Sequence, residues 1–110
     1  FDALLRASDA GRAIFVSSGV TRGVFAYWSA YAATKAALES LVKTYAAEIE
    51  KTPVRVNLVD PGTVRTRMRA EAFPGEDPMR LPAPEDITEV FVELGAATCR
   101  RHGEIVIAGA

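Results

Sequence analysis

Hydrophobic and polar positions follow two patterns along this chain: short, nearly continuous apolar runs, and longer runs with helical spacing. The short runs are residues 12–18, 54–60 and 104–108, all rich in valine and isoleucine. They lack the polar alternation of a half-exposed strand, which predicts three strands covered on both faces, as in a parallel sheet.

The segments between these runs predict helices and loops. Residues 1–7 are typical of the end of an amphipathic helix, and residues 19–28 of a loop with glycine breakers. A long helix is predicted over 29–51, with Ser29 as its N-cap and Pro53 stopping it. Residues 62–84 hold most of the prolines and predict a long loop with a short helix near 65–72. A last helix is predicted over 84–100, with Gly103 as its terminator and His102 near its end, without a catalytic role.

The resulting order is strand, helix, strand, long loop, helix, strand. This alternation predicts an α/β fold: a three-layer, Rossmann-type doubly wound parallel sheet with helices on its faces. In such sheets ligands bind at the carboxyl ends of the strands. Ser17 and Ser18 end the first strand, and Pro61 and Gly62 follow the second, so these polar and turn residues are expected at one edge.

The most unusual pair in the chain is Tyr31 and Lys35, four residues apart at the start of the long helix. Side chains with this spacing share one helical face, with Cβ atoms roughly 6 Å apart. That face continues as the apolar stripe Leu38, Val42, Tyr45 and Ile49. Lysine is rarely buried without a reason, so the pair is a candidate functional site. The alternative is a half-buried phenol beside a lysine whose ammonium reaches solvent.

The other faces of this helix carry no obvious chemistry. Glu39 and Lys43 are expected to pair on the solvated side. A stripe of small residues would allow another backbone to approach closely; its members are Ala30, Ala33, Ala37, Ser40, Thr44 and Ala47. It could contact the same helix of a second subunit or a part of the same subunit.

Composition narrows the possible functions. The net charge is −1, with 13 basic and 14 acidic residues, which gives no basic excess for nucleic acid. The lone Cys99 allows no internal disulfide and no multi-cysteine metal site, and we expect it to be a small buried hydrophobe. No apolar run reaches the ~20 residues that span a bilayer. We therefore expect no metal, no nucleic-acid partner, no membrane partner and a cytoplasmic location.

Four features together resemble the short-chain dehydrogenase/reductase family. Tyr31 to Lys35 matches the family's Tyr-x-x-x-Lys motif, and Ser18 lies 13 residues earlier, where the family has its catalytic serine. Residues 61–66 (Pro-Gly-Thr-Val-Arg-Thr) resemble the family's Pro-Gly-x-x-x-Thr segment, and residues 55–57 before them also fit. A single Tyr-x-x-x-Lys is weak evidence, but the combination on the right elements is specific.

The resemblance implies an NAD- or NADP-dependent oxidoreductase that interconverts a small-molecule alcohol and a ketone or aldehyde. It covers the C-terminal half of the family fold, because the family's glycine-rich turn is not found in residues 1–110. We therefore expect residues 1–110 to be the C-terminal part of one NAD(P)-binding Rossmann domain in a longer protein. The family also implies a homodimer or homotetramer.

The resemblance assigns roles to individual residues. Ser18, Tyr31 and Lys35 would be catalytic: Ser18 would hold the substrate oxygen and Tyr31 would be the general acid/base. A phenol is a poor base at neutral pH, and a cation one turn away favours its phenolate form. The nucleotide would contact Tyr31 and Lys35, the latter through the ribose hydroxyls. It would also contact the segment after the second strand: Pro61, Gly62, Val64 and Thr66.

Simpler interpretations exist for most of these residues. Ser18 could be a small residue at a strand end, Gly62 a turn residue, and Thr66 an N-cap. Arg65, Arg67 and Arg69 form a basic cluster that we expect to be solvated.

The aromatic residues Phe25, Tyr27 and Trp28 could line a substrate pocket, or could belong to an interface or the core. For the whole protein the alternatives are a catalytically silent nucleotide- or partner-binding relative, and an isolated half-domain that acts as an interaction module.

Overall fold

Three parallel strands form one sheet in the computed structural model, which describes residues 1–109. The strands are β1 (Arg12–Val16), β2 (Arg55–Asp60) and β3 (Ile105–Ile107). The sheet order is β1-β2-β3, with Ile14 opposite Asn57 and Val59 opposite Val106. The predicted parallel sheet is confirmed, although each predicted strand is one or two residues longer than the observed one.

Four helices connect and cover these strands. They are α1 (Asp2–Ala7), α2 (Ser29–Glu48), α3 (Arg67–Ala72) and α4 (Glu89–Gly95), with 3-10 segments at Gly19–Arg22, Pro78–Arg80 and Pro84–Ile87. The predicted order of strand, helix, strand, loop, helix and strand is confirmed, and α3 is the short helix expected inside the long loop.

The core consists of two apolar clusters on opposite faces of the sheet. Successive side chains of a strand point to opposite faces, and β2 uses both. Val56 and Leu58 pack against α2, in a cluster with Val42, Ala46, Ile49 and Val54. Val59 packs on the other face against Leu94 of α4 and the buried Cys99. Two helical layers therefore enclose the sheet, as predicted, and β2 is covered on both sides.

Helix α2 begins one residue differently from the prediction. Trp28 is the N-cap, and its main-chain carbonyl accepts a hydrogen bond from Ala32 N–H at 2.9 Å. Ser29 is already helical, so its predicted role as N-cap is wrong. The helix ends at Glu48, where the chain turns toward Pro53. The small-residue stripe of α2 is exposed along its length within residues 1–109.

The predicted helix over 84–100 is wrong in its second half. Helix α4 ends at Gly95. The main-chain carbonyls just beyond it accept hydrogen bonds from the Arg12 guanidinium and not from the N–H groups of a further helical turn. Arg12 donates to the carbonyls of Ala96, Ala97 and Cys99 at 3.1, 2.8 and 3.2 Å. Gly95 is a weak helix former, so little helical stability is lost when these carbonyls bind Arg12.

His102 and Gly103 consequently belong to a turn before β3 and do not end a helix. Gly103 has a left-handed backbone (φ 68°) and its N–H donates to the Val56 carbonyl at 2.7 Å. The His102 ring joins β2 to α2, because Nδ1 accepts from Val56 N–H and Nε2 lies 2.8 Å from the Ala46 carbonyl. This histidine therefore makes structural contacts.

Asn57 fixes the turn before β3 from the centre of β2. Its side chain is 1% exposed, its Nδ2 donates to the Arg101 carbonyl at 3.0 Å, and its Oδ1 accepts from Glu104 N–H at 3.1 Å. We expect Asn57→Leu to leave both main-chain groups unpaired, at about 1 kcal/mol each since they are only partly buried. Urea unfolding of the whole protein should show a loss of about 2 kcal/mol.

The control for this prediction is Thr98→Val, a polar-to-apolar change at an exposed position nearby. It should change the free energy of unfolding by no more than about 0.5 kcal/mol. Equal unfolding midpoints for wild type and Asn57→Leu would show that the two hydrogen bonds do not stabilise the turn.

Candidate active site

The carboxyl end of β1 meets the first turns of α2, and this junction holds the three predicted catalytic residues. The Lys35 side chain reaches back from α2 so that Nζ donates to the Val16 carbonyl at 2.9 Å. The same ammonium lies 5.8 Å from the centre of the Tyr31 ring. Ser18 is two residues beyond Val16. The chain therefore brings Ser18, Tyr31 and Lys35 to one edge of the sheet.

Ser18 is held by the turn that follows β1. It is the N-cap of the 3-10 segment Gly19–Arg22, and its Oγ accepts from Val20 N–H at 3.3 Å. A hydroxyl has one hydrogen to donate, and within residues 1–109 no acceptor takes the one on Ser18. Ser18 is thus oriented through its lone pair while its hydrogen stays available to a bound molecule.

Tyr31 is half-buried and supported by an aromatic neighbour. The Trp28 ring meets the Tyr31 ring edge-on at 5.7 Å between centroids. Within residues 1–109 the Tyr31 hydroxyl has no hydrogen-bond partner. A phenol that is fixed by packing and free at its hydroxyl can exchange a proton with a ligand.

The predicted nucleotide segment begins at Pro61, directly after the buried Asp60, which is the last residue of β2. Asp60 Oδ1 accepts from Gly62 N–H at 2.9 Å, which holds the turn after Pro61. Gly62 has a left-handed backbone (φ 71°), and the space around its missing Cβ is open to 4 Å. A side chain would be strained there, and the open space leaves the backbone accessible to a ligand.

Farther along this segment, Val64 and Thr66 have groups that could contact a ligand. Among residues 1–109 the Val64 N–H has no hydrogen-bond acceptor. Thr66 Oγ1 accepts from Arg69 N–H at 3.1 Å and caps α3, so the N-cap interpretation is confirmed. The Thr66 hydroxyl hydrogen remains available, and capping and ligand contact are therefore compatible.

An ion pair that the sequence did not reveal ties the two loops of the site together. The Arg22 guanidinium binds Asp60 Oδ2, and the Asp60 side chain is almost fully buried. The loop after β1 is thereby fixed to the loop after β2. No local pattern indicates this pair, because the two residues lie 38 positions apart and on different elements.

The loop containing α3 reaches over the site through stacked aromatic and charged groups. Phe73 stacks on Trp28 with 5.9 Å between centroids, and the Arg69 guanidinium lies 3.7 Å from the Phe73 ring. Arg69 also donates twice to the Glu76 carboxylate, at 2.8 and 2.9 Å. Trp28 therefore belongs to the site, whereas Phe25 and Tyr27 are exposed.

The basic cluster of this loop is only partly solvated, contrary to expectation. Arg67 is exposed and pairs with Glu71, but Arg69 is half-buried between Phe73 and Glu76. A cavity of about 140 Å³ lies within the loop, beside Arg65 and Leu81. It is smaller than the roughly 300–1,000 Å³ of typical ligand pockets, so it does not constitute a nucleotide site.

The Arg69–Glu76 contact predicts how the loop responds to acid. Hydrogen bonds from the Arg69 guanidinium lower the pKa of Glu76 from its usual 4.5. The ion pair therefore stabilises the loop fully at pH values above 4.5, and this stabilisation is lost as pH falls through the lowered pKa of Glu76. We expect Trp28 fluorescence, taken as the difference from a Trp28→Phe variant, to be constant from about pH 5 to 8 and to change below about pH 4.

Glu76→Gln should abolish this acid step, because the amide does not titrate. Glu71→Gln is the matched control, since Glu71 pairs with Arg67 on the exposed side of the same loop, and it should leave the step unchanged. Identical titrations of wild type and Glu76→Gln would show that the ion pair does not hold the loop against Trp28.

Glu39 is a buried residue beside the site that the sequence pattern misplaced. It was expected on the solvated side with Lys43, but it is 9% exposed and faces the strand end. Its Oε1 accepts from Ser17 Oγ at 2.6 Å and from Thr21 Oγ1 at 2.9 Å. The indication was its spacing: Glu39 lies four residues after Lys35, on the same inward face.

Residues 1–109 contain no group of three or more histidine, cysteine or acidic side chains that could hold a metal ion. Within the same residues, no helix is both long and apolar enough to cross a membrane.

Known proteins share this sequence pattern. A family model described as short chain dehydrogenase matches residues 1–77. The oxidoreductase YciK of Escherichia coli K12, itself uncharacterised, is 46% identical over 98 residues, which are 89% of this chain and 38% of that protein. The NADPH-dependent aldehyde reductase-like protein of Arabidopsis thaliana chloroplasts is 39% identical over 74 residues, or 67% of this chain and 26% of that protein.

Solved structures match the fold as well. A short-chain dehydrogenase of Salmonella enterica serovar Typhi superimposes with a TM-score of 0.93 at 41% identity, covering 98% of this chain and 45% of that one. A short-chain dehydrogenase of Escherichia coli CFT073, solved with NADPH, gives a TM-score of 0.91 at 42% identity with the same coverage. The chain therefore spans less than half the length of these relatives.

Proposed function

The chain belongs to the short-chain dehydrogenase family, and from that premise we propose that the whole protein is an oxidoreductase that interconverts an alcohol and a ketone or aldehyde. The observation that carries the proposal is the position of Lys35. Its ammonium bridges from α2 to the Val16 carbonyl at 2.9 Å, beside both the Tyr31 ring and the strand end that bears Ser18. The ammonium is thereby held between the phenol proposed as acid/base and the strand end that leads to Ser18.

The residues at the carboxyl ends of β1 and β2 fit a nicotinamide nucleotide. The Val64 N–H, which has no acceptor among residues 1–109, and the Thr66 hydroxyl offer donors to a carboxamide, and the open backbone at Gly62 leaves room for a ring. Lys35 offers an ammonium to ribose hydroxyls. The NADPH complex of the Escherichia coli CFT073 relative supports NADP(H) as the nucleotide, with NAD(H) as the other candidate.

The proposed chemistry divides between the nucleotide and the chain. The nicotinamide, when bound, supplies or accepts the hydride. The Ser18 hydroxyl donates its free hydrogen to the substrate oxygen and fixes that oxygen beside Tyr31. Tyr31 gives a proton to this oxygen in reduction and removes it in oxidation. The Lys35 ammonium lies one helical turn away, 5.8 Å from the centre of the Tyr31 ring.

The wall of the site supports an apolar substrate group. The Trp28 ring meets the Tyr31 ring edge-on, and Phe73 stacks on Trp28, so aromatic groups adjoin the proposed acid/base. The exposed small-residue stripe of α2 is compatible with a homodimer or homotetramer, which we propose for the whole protein.

The experiment is to express the whole protein and follow NADPH and NADH oxidation at 340 nm with a panel of aromatic and aliphatic aldehydes and ketones, while measuring nucleotide binding by calorimetry. Nucleotide binding with turnover of at least one carbonyl compound supports the proposal. Binding without turnover would identify a catalytically silent relative. Absence of both would favour an interaction module.

A further inference from the structure

A buried carboxylate that the proposed chemistry does not use lies directly behind the active-site serine. Glu39 is 9% exposed, and Ser17, which donates the shorter of its two hydrogen bonds, is 2% exposed. Removing a charged side chain from water is costly unless hydrogen bonds replace the lost hydration. Within residues 1–109 no buried side-chain nitrogen or oxygen lacks a partner, and Oε1 of Glu39 accepts two hydrogen bonds.

The two hydroxyls that bind Glu39 stand on either side of Ser18. Ser17 precedes Ser18 directly, and Thr21 follows it by three residues within the same turn. Both donate to the same oxygen, Oε1, at 2.6 and 2.9 Å. Hydrogen bonds to an ionised acceptor are among the shorter and stronger ones in proteins. The turn that presents Ser18 is thus held at both ends by one carboxylate.

The carboxylate belongs to the helix that carries the proposed acid/base. Glu39 lies eight residues after Tyr31 and four after Lys35 on α2, so the three share a face. Lys35 holds the Val16 carbonyl and Glu39 holds the neighbouring Ser17 hydroxyl. The strand end and the helix are therefore joined at consecutive residues immediately before Ser18.

We propose that Glu39 is a positioning residue that sets the Ser18 hydroxyl against Tyr31 through Ser17 and Thr21. This inference rests on the proposed oxidoreductase function. Misplacing a reacting group by a fraction of an ångström to 1 Å lowers rates by up to about a hundredfold. Glu39→Leu, which keeps the volume and removes both acceptors, should therefore lower kcat about ten- to a hundredfold.

The test is a double-mutant cycle on the whole protein, with wild type, Glu39→Leu, Ser18→Ala and the double variant. If Glu39 acts through Ser18, the Glu39→Leu change lowers kcat strongly when Ser18 is present. In the Ser18→Ala background the same change lowers kcat by less than about threefold. The nucleotide Kd should stay unchanged in all four. An equal fold-loss in both backgrounds would overturn the inference, because a general structural defect would not depend on Ser18.

Conservative variants keep the test decisive if Glu39→Leu does not fold. Glu39→Gln retains an acceptor oxygen and should recover part of kcat. Thr21→Val removes one of the two hydroxyls with little change in shape. It should lower kcat when Ser18 is present and have little effect in the Ser18→Ala background. Unchanged kcat in folded Thr21→Val and Glu39→Gln would overturn the inference. Glu50→Gln, at an exposed position just beyond the end of α2, is the control and should stay within twofold of wild type.

The two proposals fail in different ways. If the wild-type protein turns over no carbonyl or alcohol with either nucleotide, the oxidoreductase function is overturned and the inference falls with it. If wild type is active and Glu39 is dispensable, the inference alone is overturned.

Discussion

The Tyr31→Phe variant of the whole protein is expected to lose about 10²–10⁴-fold in kcat, the usual contribution of a positioned general acid or base. The change removes one oxygen and keeps the ring that packs against Trp28 at 5.7 Å. Since that hydroxyl has no partner among residues 1–109, its removal should leave the fold intact. Nucleotide binding, measured by calorimetry, should change by less than about threefold.

The matched control is Tyr45→Phe, the same substitution farther along α2. The Tyr45 hydroxyl donates to Asp2 at 2.6 Å, away from the proposed site. This variant should keep wild-type kcat. A Tyr31→Phe protein with near-normal turnover would remove Tyr31 from the proposed mechanism.

Lys35→Met should lose turnover to a similar degree and weaken nucleotide binding as well. Methionine keeps the unbranched length of lysine without the ammonium, so both the charge near Tyr31 and the donor to ribose are lost. One lost hydrogen bond of about 1.4 kcal/mol corresponds to a tenfold rise in the nucleotide Kd. Raised Kd together with lowered kcat distinguishes this variant from Tyr31→Phe, in which only kcat falls.

Lys43→Met is the control for this second prediction, because Lys43 is an exposed lysine two helical turns farther along the same helix. Its kcat and Kd should both equal those of wild type. If Lys35→Met binds the nucleotide as tightly as wild type, Lys35 does not contact the ribose and acts on Tyr31 alone.

The features that follow from local periodicity could be predicted from the sequence. The inward face of α2 follows from its apolar spacing, so Tyr31 and Lys35 were placed correctly beside the carboxyl end of β1. The cap of α3 by Thr66 is also a local contact, made three residues away. The family resemblance added the place of Ser18, and the parallel sheet then put all three residues at one edge.

The features that the sequence did not predict depend on residues far apart in the chain. Arg12 ends α4 by binding carbonyls more than 80 positions away, and no propensity scale includes that contact. Glu39 was assigned to the solvated face because it is charged and stands four residues before Lys43. Its burial depends on two hydroxyls that only the folded turn after β1 brings to it.

The role of Trp28 also depends on a residue far away in the chain. The sequence left all three aromatic residues of the loop equally open to pocket, interface or core roles. Only the position of Phe73, 45 residues later, selects Trp28 and leaves Phe25 and Tyr27 exposed. Which loop residues line the site is thus decided by the return path of the α3 loop.

Isotope transfer tests the central claim most directly. The whole protein is incubated with NADPH dideuterated at C4 of the nicotinamide and with the carbonyl panel, and the alcohol products are analysed by mass spectrometry. The account predicts an alcohol that carries one deuterium at the carbinol carbon, formed far more slowly by Tyr31→Phe. A protein that binds the nucleotide and transfers no deuterium to any carbonyl would contradict it.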